Sequence, residues 1–188
     1  PSLGQTDTLR VDSLTIPFSI KAYQELHLDT LENSVSNGTP GEGTLENGKL
    51  FPYEGDNFKY FSEWSYLHGR AFMNHRLRDA VLASYDSLHG QFPDQYWGIM
   101  ECSLQSGGKI SGHRTHQNGL SIDFMTPLKQ NDSSYYGLND IGGAHYQLDF
   151  NDDGQLRSDT TISIDFDMMG EHILSLDLFA RQHGLKVK

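Results

Sequence analysis

The sequence has little cysteine, few basic residues and no long apolar stretch. Its single cysteine, Cys102, cannot form an intramolecular disulfide, and the strand-like residues around it favour a buried free thiol over a nucleophile. No apolar run approaches the ~20 residues that a membrane-spanning helix needs, so we expect no transmembrane segment. The length of 188 residues falls within single-domain range and allows a real core.

Acidic residues outnumber basic ones. The chain has 14 Lys and Arg against 25 Asp and Glu, a formal net charge of −11, and the basic residues are scattered. Nucleic acids and anionic membrane surfaces attract proteins through concentrated positive charge. This charge balance therefore argues against either of them as a partner.

The hydrophobic periodicity predicts an α+β protein, with helices packed on a mainly antiparallel sheet. We expect helices over 60–88 and 167–181, and strands over 14–20, 95–104, 120–126, 145–150 and 160–166. Residues 105–119 are rich in glycine and are expected to form a loop. Residues 1–40 are polar and predict an N-terminal segment or tether, and the loop composition continues through 34–48. The folded domain is then expected over 41–188.

Two histidines and a carboxylate lie within eleven residues, at His113, His116 and Asp123. Two donors on one zinc ion, at bond lengths near 2.1 Å, lie roughly 3.5 Å apart, so such a site requires the chain to turn back between His116 and Asp123. Gly119 can adopt the positive φ that such a turn needs. The alternation over 120–126 predicts a strand from which Asp123 faces a cleft. On spacing alone, a metal site and an ordinary polar loop are equally good interpretations.

The residues around this cluster form a longer pattern. It consists of Gly107-Gly108-Lys109, followed by His113-x-x-His116-Gln117-x-Gly119-Leu120-x-x-Asp123. This pattern resembles the penicillin-insensitive murein endopeptidases, within the superfamily of lysostaphin-type peptidases, D-Ala-D-Ala metallopeptidases and hedgehog-like domains. A weaker similarity to the entry segment of that family spans residues 43–52. The resemblance extends from about residue 41 to the C-terminus, but only 107–123 is specific.

The resemblance implies a hedgehog-like α+β fold and a zinc peptidase that cleaves peptide cross-links of bacterial peptidoglycan, beside a D-amino acid. His116 and Asp123 would be the zinc ligands, and His113 would shape the site or assist catalysis. Peptidoglycan stem peptides carry carboxylates, so Lys109 and Arg114 are candidate substrate-binding donors, although both could equally be solvated loop charges. The implied location is the periplasm or cell envelope.

One part of the family pattern is missing from this sequence. The family has a late His-x-x-His-x-His run that supplies the third ligand and the general base, whereas this chain has only His145, His172 and His183 after Asp123. Structural roles are favoured for these three, with His145 the best candidate to approach the site. We expect the natural chain to continue past Lys188. The alternatives are a catalytically inactive peptidoglycan-binding module of the same fold, or a carboxypeptidase that trims terminal D-Ala.

Substitution of either His116 or Asp123 by alanine is expected to abolish stoichiometric zinc binding, because each removes one of the two ligands that the resemblance implies. Elemental analysis of the purified variants, beside the wild-type protein, measures this directly. Full zinc occupancy in either variant would contradict the ligand assignment.

Overall fold

The computed structural model describes residues 16–188 and has the α+β architecture expected from the sequence. The helices in this range are α1 (Phe18–Leu26), α2 (Glu63–Leu67), α3 (His75–Gln91), a 3-10 helix (Asn139–Gln147) and α4 (Phe166–Gln182). The strands are β1 (Val35–Thr39), β2 (Glu42–Glu46), β3 (Lys49–Leu50), β4 (Glu54–Gly55), β5 (Phe58–Tyr60), β6 (Phe72–Met73), β7 (Trp97–Ile99), β8 (Leu128–Gln130), β9 (Ser133–Ser134), β10 (Gln155–Leu156) and β11 (Asp159–Ile164).

The strands form small sheets in which most neighbours are antiparallel. β1 pairs with β2, β3 with β6, and β10, β11, β8 and β9 follow one another in one sheet. The parallel pair is β5 with β7, and β4 lies antiparallel on the outer side of β5. The 3-10 helix and α1 to α4 pack around these sheets. No single large sheet dominates the described part of the chain, because its strands divide among four small sheets.

Residues 98–101, which include the end of β7, hydrogen-bond to neighbouring segments on both sides. On one side, the amide of Phe61 donates to the carbonyl of Ile99, which continues the β5 pairing. On the other side, the Met100 amide donates to the Asp123 carbonyl at 2.8 Å, and the Asp123 amide donates to the Glu101 carbonyl at 3.0 Å. Residues 98–101 and 123–125 are thus hydrogen-bonded as antiparallel neighbours, with a regular β-bridge between Ile99 and Phe124.

The two long helices have clear end signals and pack on each other. The Asn74 side chain accepts from the Arg76 amide at the start of α3, and the Asp165 side chain accepts from the Met168 amide at the start of α4. Gly184, at a positive φ of 67°, lies just after the end of α4, where a glycine in the left-handed conformation commonly terminates a helix. The helix predicted over 167–181 is therefore confirmed.

The main core is aromatic. Buried rings from β5, α2, α3 and β7 pack together, with Phe51, Tyr60, Tyr66, Tyr85 and Trp97 among the most deeply buried. A smaller second cluster lies in the β8–β11 sheet and is built on Leu128, Leu156 and Ile162. Ile99 and Cys102 belong to the same buried cluster as these rings.

Cys102 is buried and free, as expected from the sequence. Burial, followed by the nearby charges of Asp123 and Glu101, holds the pKa of this thiol well above its ordinary value. A thiol that stays protonated and enclosed is a poor nucleophile. Within residues 16–188, no helix has both the length and the apolar composition to cross a bilayer.

Several predicted elements are wrong. The helix expected over 60–88 is two helices, α2 and α3, because Gly69 turns the chain at φ 77° and the buried strand β6 pairs with β3 between them. The strand expected over 145–150 is wrong over residues 145–147, which end the 3-10 helix, and only Phe150 forms a β-bridge, to Leu156. The strands expected over 95–104 and 120–126 shorten to β7 and to the pairing of 123–125.

The N-terminal expectations need a similar correction. The short strand predicted over 14–20 is wrong from residue 18 onward, because Pro17 precedes the first turn of α1, and residues 14 and 15 lie outside the described residues. The loop expected over 34–48 is largely the β1–β2 hairpin. The boundary placed between residues 40 and 41 stays a prediction, and residues 1–15 of the expected tether lie outside the described range.

The burial of His172 predicts how the stability of the protein depends on pH. Its ring stacks on Trp97 at 4.4 Å and on Tyr85 at 5.5 Å between centroids, and burial lowers its pKa from 6.5 to about 3. Because the unfolded state binds this proton first, the contribution of neutral His172 to stability is complete above pH 6.5. It is lost as the pH falls toward 3, by about 1.4 kcal/mol per pH unit.

Replacement of His172 by phenylalanine is expected to make the acid limb of the stability curve shallower between pH 6.5 and 3. Urea denaturation at a series of pH values measures the slope. Leu88→Ala is the control: it empties a buried apolar site, so it lowers stability by about 2–5 kcal/mol at every pH and leaves the slope unchanged. An unaltered acid limb in the phenylalanine variant would contradict the assigned role.

Candidate metal centre

A tight backbone turn brings the two ends of the motif together. His116 and Gly119 both have positive φ, 68° and 76°. The Ser103 hydroxyl donates to the His116 carbonyl and accepts from the Gly119 amide at 2.8 Å, so one side chain bridges both ends of the turn. The Gln117 amide donates to the Pro40 carbonyl, which ties the turn to the β1–β2 hairpin. A non-glycine residue at positive φ is uncommon and concentrates at functional sites.

Asp123 lies directly across from His116 as a result. Its Oδ1 is 3.3 Å from His116 Nε2, and its Oδ2 accepts a 2.8 Å hydrogen bond from the Tyr146 hydroxyl. The backbone of Asp123 is held by its pairing with Met100 and Glu101. The chain therefore turns back between the two motif residues, and Asp123 projects from an extended, paired segment.

His113 joins the same cluster from the preceding loop. One donor atom each from His113, His116 and Asp123 lie within 4.8 Å of one another. The His113 and His116 rings meet edge to face, with centroids 5.2 Å apart, and His113 Nε2 contacts Glu101 Oε2. Glu101 is buried, and its Oε1 accepts from Arg70 Nη1 at 2.7 Å. The described chain thus contains a His–His–Asp group at metal-binding distance.

The contacts of the His116 ring direct Nε2 toward Asp123. Nδ1 lies 3.3 Å from the Ser121 carbonyl, a group that can only accept, so Nδ1 carries the proton and Nε2 faces Asp123. Burial lowers the pKa of His116, but the hydrogen bond and charge of Asp123 outweigh it, so this pKa is raised overall. Burial likewise raises the pKa of Asp123, whereas His116 and the Tyr146 hydrogen bond lower it, and the net shift is downward.

The distance between His116 Nε2 and Asp123 Oδ1 is compatible with a divalent metal. Charge-assisted hydrogen bonds between nitrogen and oxygen are about 2.7–2.9 Å long, shorter than the 3.3 Å between His116 Nε2 and Asp123 Oδ1. Two donors on a tetrahedral zinc ion at about 2.1 Å lie roughly 3.4 Å apart. Two imidazoles and a carboxylate suit zinc, and also other first-row divalent ions. The donor set is therefore compatible with a metal, and its chemistry does not by itself select zinc.

The two predicted substrate-binding residues are not part of the cluster. Lys109 and Arg114 are exposed on the loop, and neither makes a side-chain hydrogen bond or ion pair with another described residue. The late histidines are also placed elsewhere. His145 Nε2 accepts from the Thr126 amide at 3.2 Å, His172 lies in the aromatic stack, and His183 contacts the Phe179 carbonyl near the end of α4.

Two residues at the site were not singled out from the sequence, Glu101 and Tyr146. Glu101 could have been found from the sequence, because it is the one charged residue in the segment predicted as a strand over 95–104. Tyr146 had no signal beyond its place next to His145. Its contact with Asp123 arises because the 3-10 helix lies against the cluster, where the Tyr146 ring also meets the His113 ring edge to face.

An open cleft of about 430 Å³ borders the cluster on one side. Asp123 and Tyr146 lie at its edge, and α4 contributes an apolar wall that includes Met169 and Ile173. Asp123 is about one-third exposed, whereas His116 is almost fully buried. A ligand in this cleft would therefore reach the cluster from the Asp123 side.

Comparison with known proteins does not assign the chain to a family. No family model matches it, and no curated protein matches it either. The motif and the geometry of the cluster are therefore the features that bear on function.

Gly119 provides a test of the turn. A Cβ at Gly119 would lie 2.8 Å from Leu45 Cδ1 and 2.9 Å from the Asn74 amide nitrogen, whereas a Cβ at Gly112 would meet nothing within 4 Å. Both glycines have positive φ, so alanine costs each about 1–2 kcal/mol of strain. Only Gly119→Ala adds a clash, worth about 1–3 kcal/mol more.

We expect Gly119→Ala to lower the thermal midpoint more than Gly112→Ala and to weaken metal binding, because it displaces the turn that holds His116. Thermal denaturation and metal titration of the two variants measure both effects. Equal behaviour of the pair would show that the turn tolerates a side chain at Gly119.

Proposed function

We propose that the protein is a zinc-dependent peptidase that hydrolyses peptide cross-links of bacterial peptidoglycan, at an amide next to a D-amino acid. The observation that carries this proposal is the cluster of His113, His116 and Asp123, with donor atoms within 4.8 Å of one another. The pattern of residues 107–123 supports it, because it resembles the murein endopeptidases in both the ligand positions and the glycine lead-in.

Three protein donors are what a catalytic zinc site typically uses, with water in the open position. We propose that His113 completes the set beside His116 and Asp123, in place of the assisting role that the resemblance implies, because one of its donor atoms lies within 4.8 Å of theirs. A zinc ion held there would lower the pKa of its bound water toward 7 and polarise the scissile carbonyl. The Tyr146 hydroxyl donates a hydrogen bond to Oδ2 of Asp123, and Oδ1 of the same carboxylate faces His116.

Binding of the proposed substrate would depend on local contacts around the cluster. The net charge of −11 gives no long-range attraction to acidic stem peptides, so binding requires local donors. Lys109 and Arg114 are exposed on the loop that contains His113 and are the candidates for this contact. The apolar wall of α4 offers a surface for the side chains of a peptide. A peptidoglycan substrate would place the protein in the periplasm or cell envelope.

A non-catalytic peptidoglycan-binding module is the second candidate. The observation that favours it is the absence, within residues 16–188, of a further histidine at the cluster that could act as general base, since His145 and His172 are engaged elsewhere. A carboxypeptidase that removes terminal D-Ala from monomeric stem peptides would use the same cluster. Hydrolysis products distinguish the three functions.

The test uses the zinc-loaded full chain with purified cross-linked muropeptide dimers and with monomeric stem peptides. We expect conversion of dimers to monomers, detected by chromatography and mass spectrometry, and loss of this conversion in His116→Ala and Asp123→Ala. Asp152→Ala, which alters an exposed turn carboxylate far from the motif in sequence, is the control that should keep full activity.

Each result has a definite meaning. Release of D-Ala from monomers with intact dimers would favour the carboxypeptidase. Binding to sacculi without hydrolysis of either substrate would replace the enzyme by the binding module. A cleavage activity that survives in both ligand variants would remove the cluster from the mechanism.

A further inference from the structure

Glu101 is a buried carboxylate whose two oxygens have different neighbours. Oε1 accepts from Arg70 Nη1 at 2.7 Å and from the Ser65 hydroxyl at 3.0 Å. Oε2 contacts His113 Nε2. The side chain of Glu101 is only 5% exposed. One carboxylate therefore joins the partly buried Arg70 to the more exposed histidine of the metal cluster.

The Arg70 contact explains how the carboxylate can be charged in this place. An ionised carboxylate buried without partners is strongly unfavourable, whereas a guanidinium at hydrogen-bond distance compensates for its lost hydration. Arg70 itself lies 5.2 Å from the centre of the Trp64 ring, so its position is restrained from a second side. Arg70 and Ser65 satisfy Oε1, and Oε2 is left directed at His113.

The backbone of Glu101 is tied to the cluster as well. Its carbonyl accepts from the Asp123 amide at 3.0 Å, and the neighbouring Met100 amide donates to the Asp123 carbonyl. Glu101 therefore contacts one candidate ligand, His113, through its side chain and another, Asp123, through its main chain. A shift of Glu101 would change the distance between these two donors.

We propose that Glu101 is the positioning residue of the metal centre: it fixes the ring of His113 so that the remaining ring nitrogen faces the metal. The inference rests on the proposed function, because it needs the cluster to bind a metal. Histidine ligands generally donate their second ring N–H to a carboxylate or carbonyl, and loss of that partner typically weakens metal binding 10–100-fold.

A purely structural role for Glu101, as the charge partner of Arg70, makes a different prediction. In that case any loss of a Glu101 contact would destabilise the fold and would affect metal binding only through the fold. Ser65→Ala is the matched control, because it removes a hydrogen bond to the same carboxylate on the oxygen that does not contact His113.

The experiment compares Glu101→Gln with Ser65→Ala in the full chain. Zinc affinity is measured by competition with a chromophoric chelator, and the fold by the thermal midpoint of the metal-free protein. We expect Glu101→Gln to weaken zinc binding 10–100-fold, and Ser65→Ala to leave it within about threefold. Because Glu101→Gln leaves Arg70 unpaired, the double variant Arg70→Gln/Glu101→Gln removes both charges and should show the same loss of affinity.

A spectroscopic readout separates positioning from stability. Long-range ¹H–¹⁵N spectra of the metal-free protein should show a changed Nε2 signal of His113 in Glu101→Gln and an unchanged signal in Ser65→Ala. Wild-type zinc affinity in Glu101→Gln would overturn the inference, whether or not the His113 signal changes. Equal losses of affinity in both variants would also overturn it, because they would reflect the fold alone.

Failure of the proposed function gives a distinct result. If the wild-type protein does not bind zinc, the peptidase proposal fails and the metal-positioning role fails with it, whatever the His113 spectra show. If the wild-type protein binds zinc and Glu101→Gln binds it equally well, only the positioning role fails.

Discussion

The candidate site depends on the antiparallel pairing of residues 98–101 with residues 123–125. Two backbone hydrogen bonds of 2.8 and 3.0 Å fix Asp123 beside Met100 and Glu101, and the parallel strand β5 supports the same segment from its other side. Ile99 belongs to the aromatic core cluster, and Phe124 packs against it. Asp123 and Glu101, whose carboxylate contacts His113, are therefore attached to adjacent backbones, and the pairing fixes the separation of their Cα atoms.

The cluster is polar but is built into an enclosed region, which requires that each group have a partner. The Ser103 hydroxyl bridges the turn, the Ser121 carbonyl lies beside Nδ1 of His116, and the Tyr146 hydroxyl donates to Asp123. The opposite pKa shifts of His116 and Asp123 follow from their mutual contact. Perturbed ionisable pairs at the edge of a cleft are typical of functional sites, although structural ion pairs show them as well.

Several features could be predicted from the sequence because their signals are local. The apolar periodicity and Gly184 identified α4, and Gly119 marked the turn between His116 and Asp123. Predictions that required knowledge of distant partners were wrong. The interruption between α2 and α3 reflects pairing of β6 with β3, and the helical conformation around His145 accompanies a hydrogen bond from Thr126, neither of which appears in local hydrophobic spacing.

The sequence by itself determined the α+β class, the types of donor at the site and the turn that allows two of them to meet, because periodicity and glycine placement act over a few residues. The tertiary structure decided which other groups surround them. Glu101 meets Arg70 across 31 positions of the chain, and Tyr146 meets Asp123 across 23. Contacts at such separations form only when whole elements pack. No local pattern therefore encodes that Glu101 contacts His113 or that Tyr146, in the 3-10 helix, donates to Asp123.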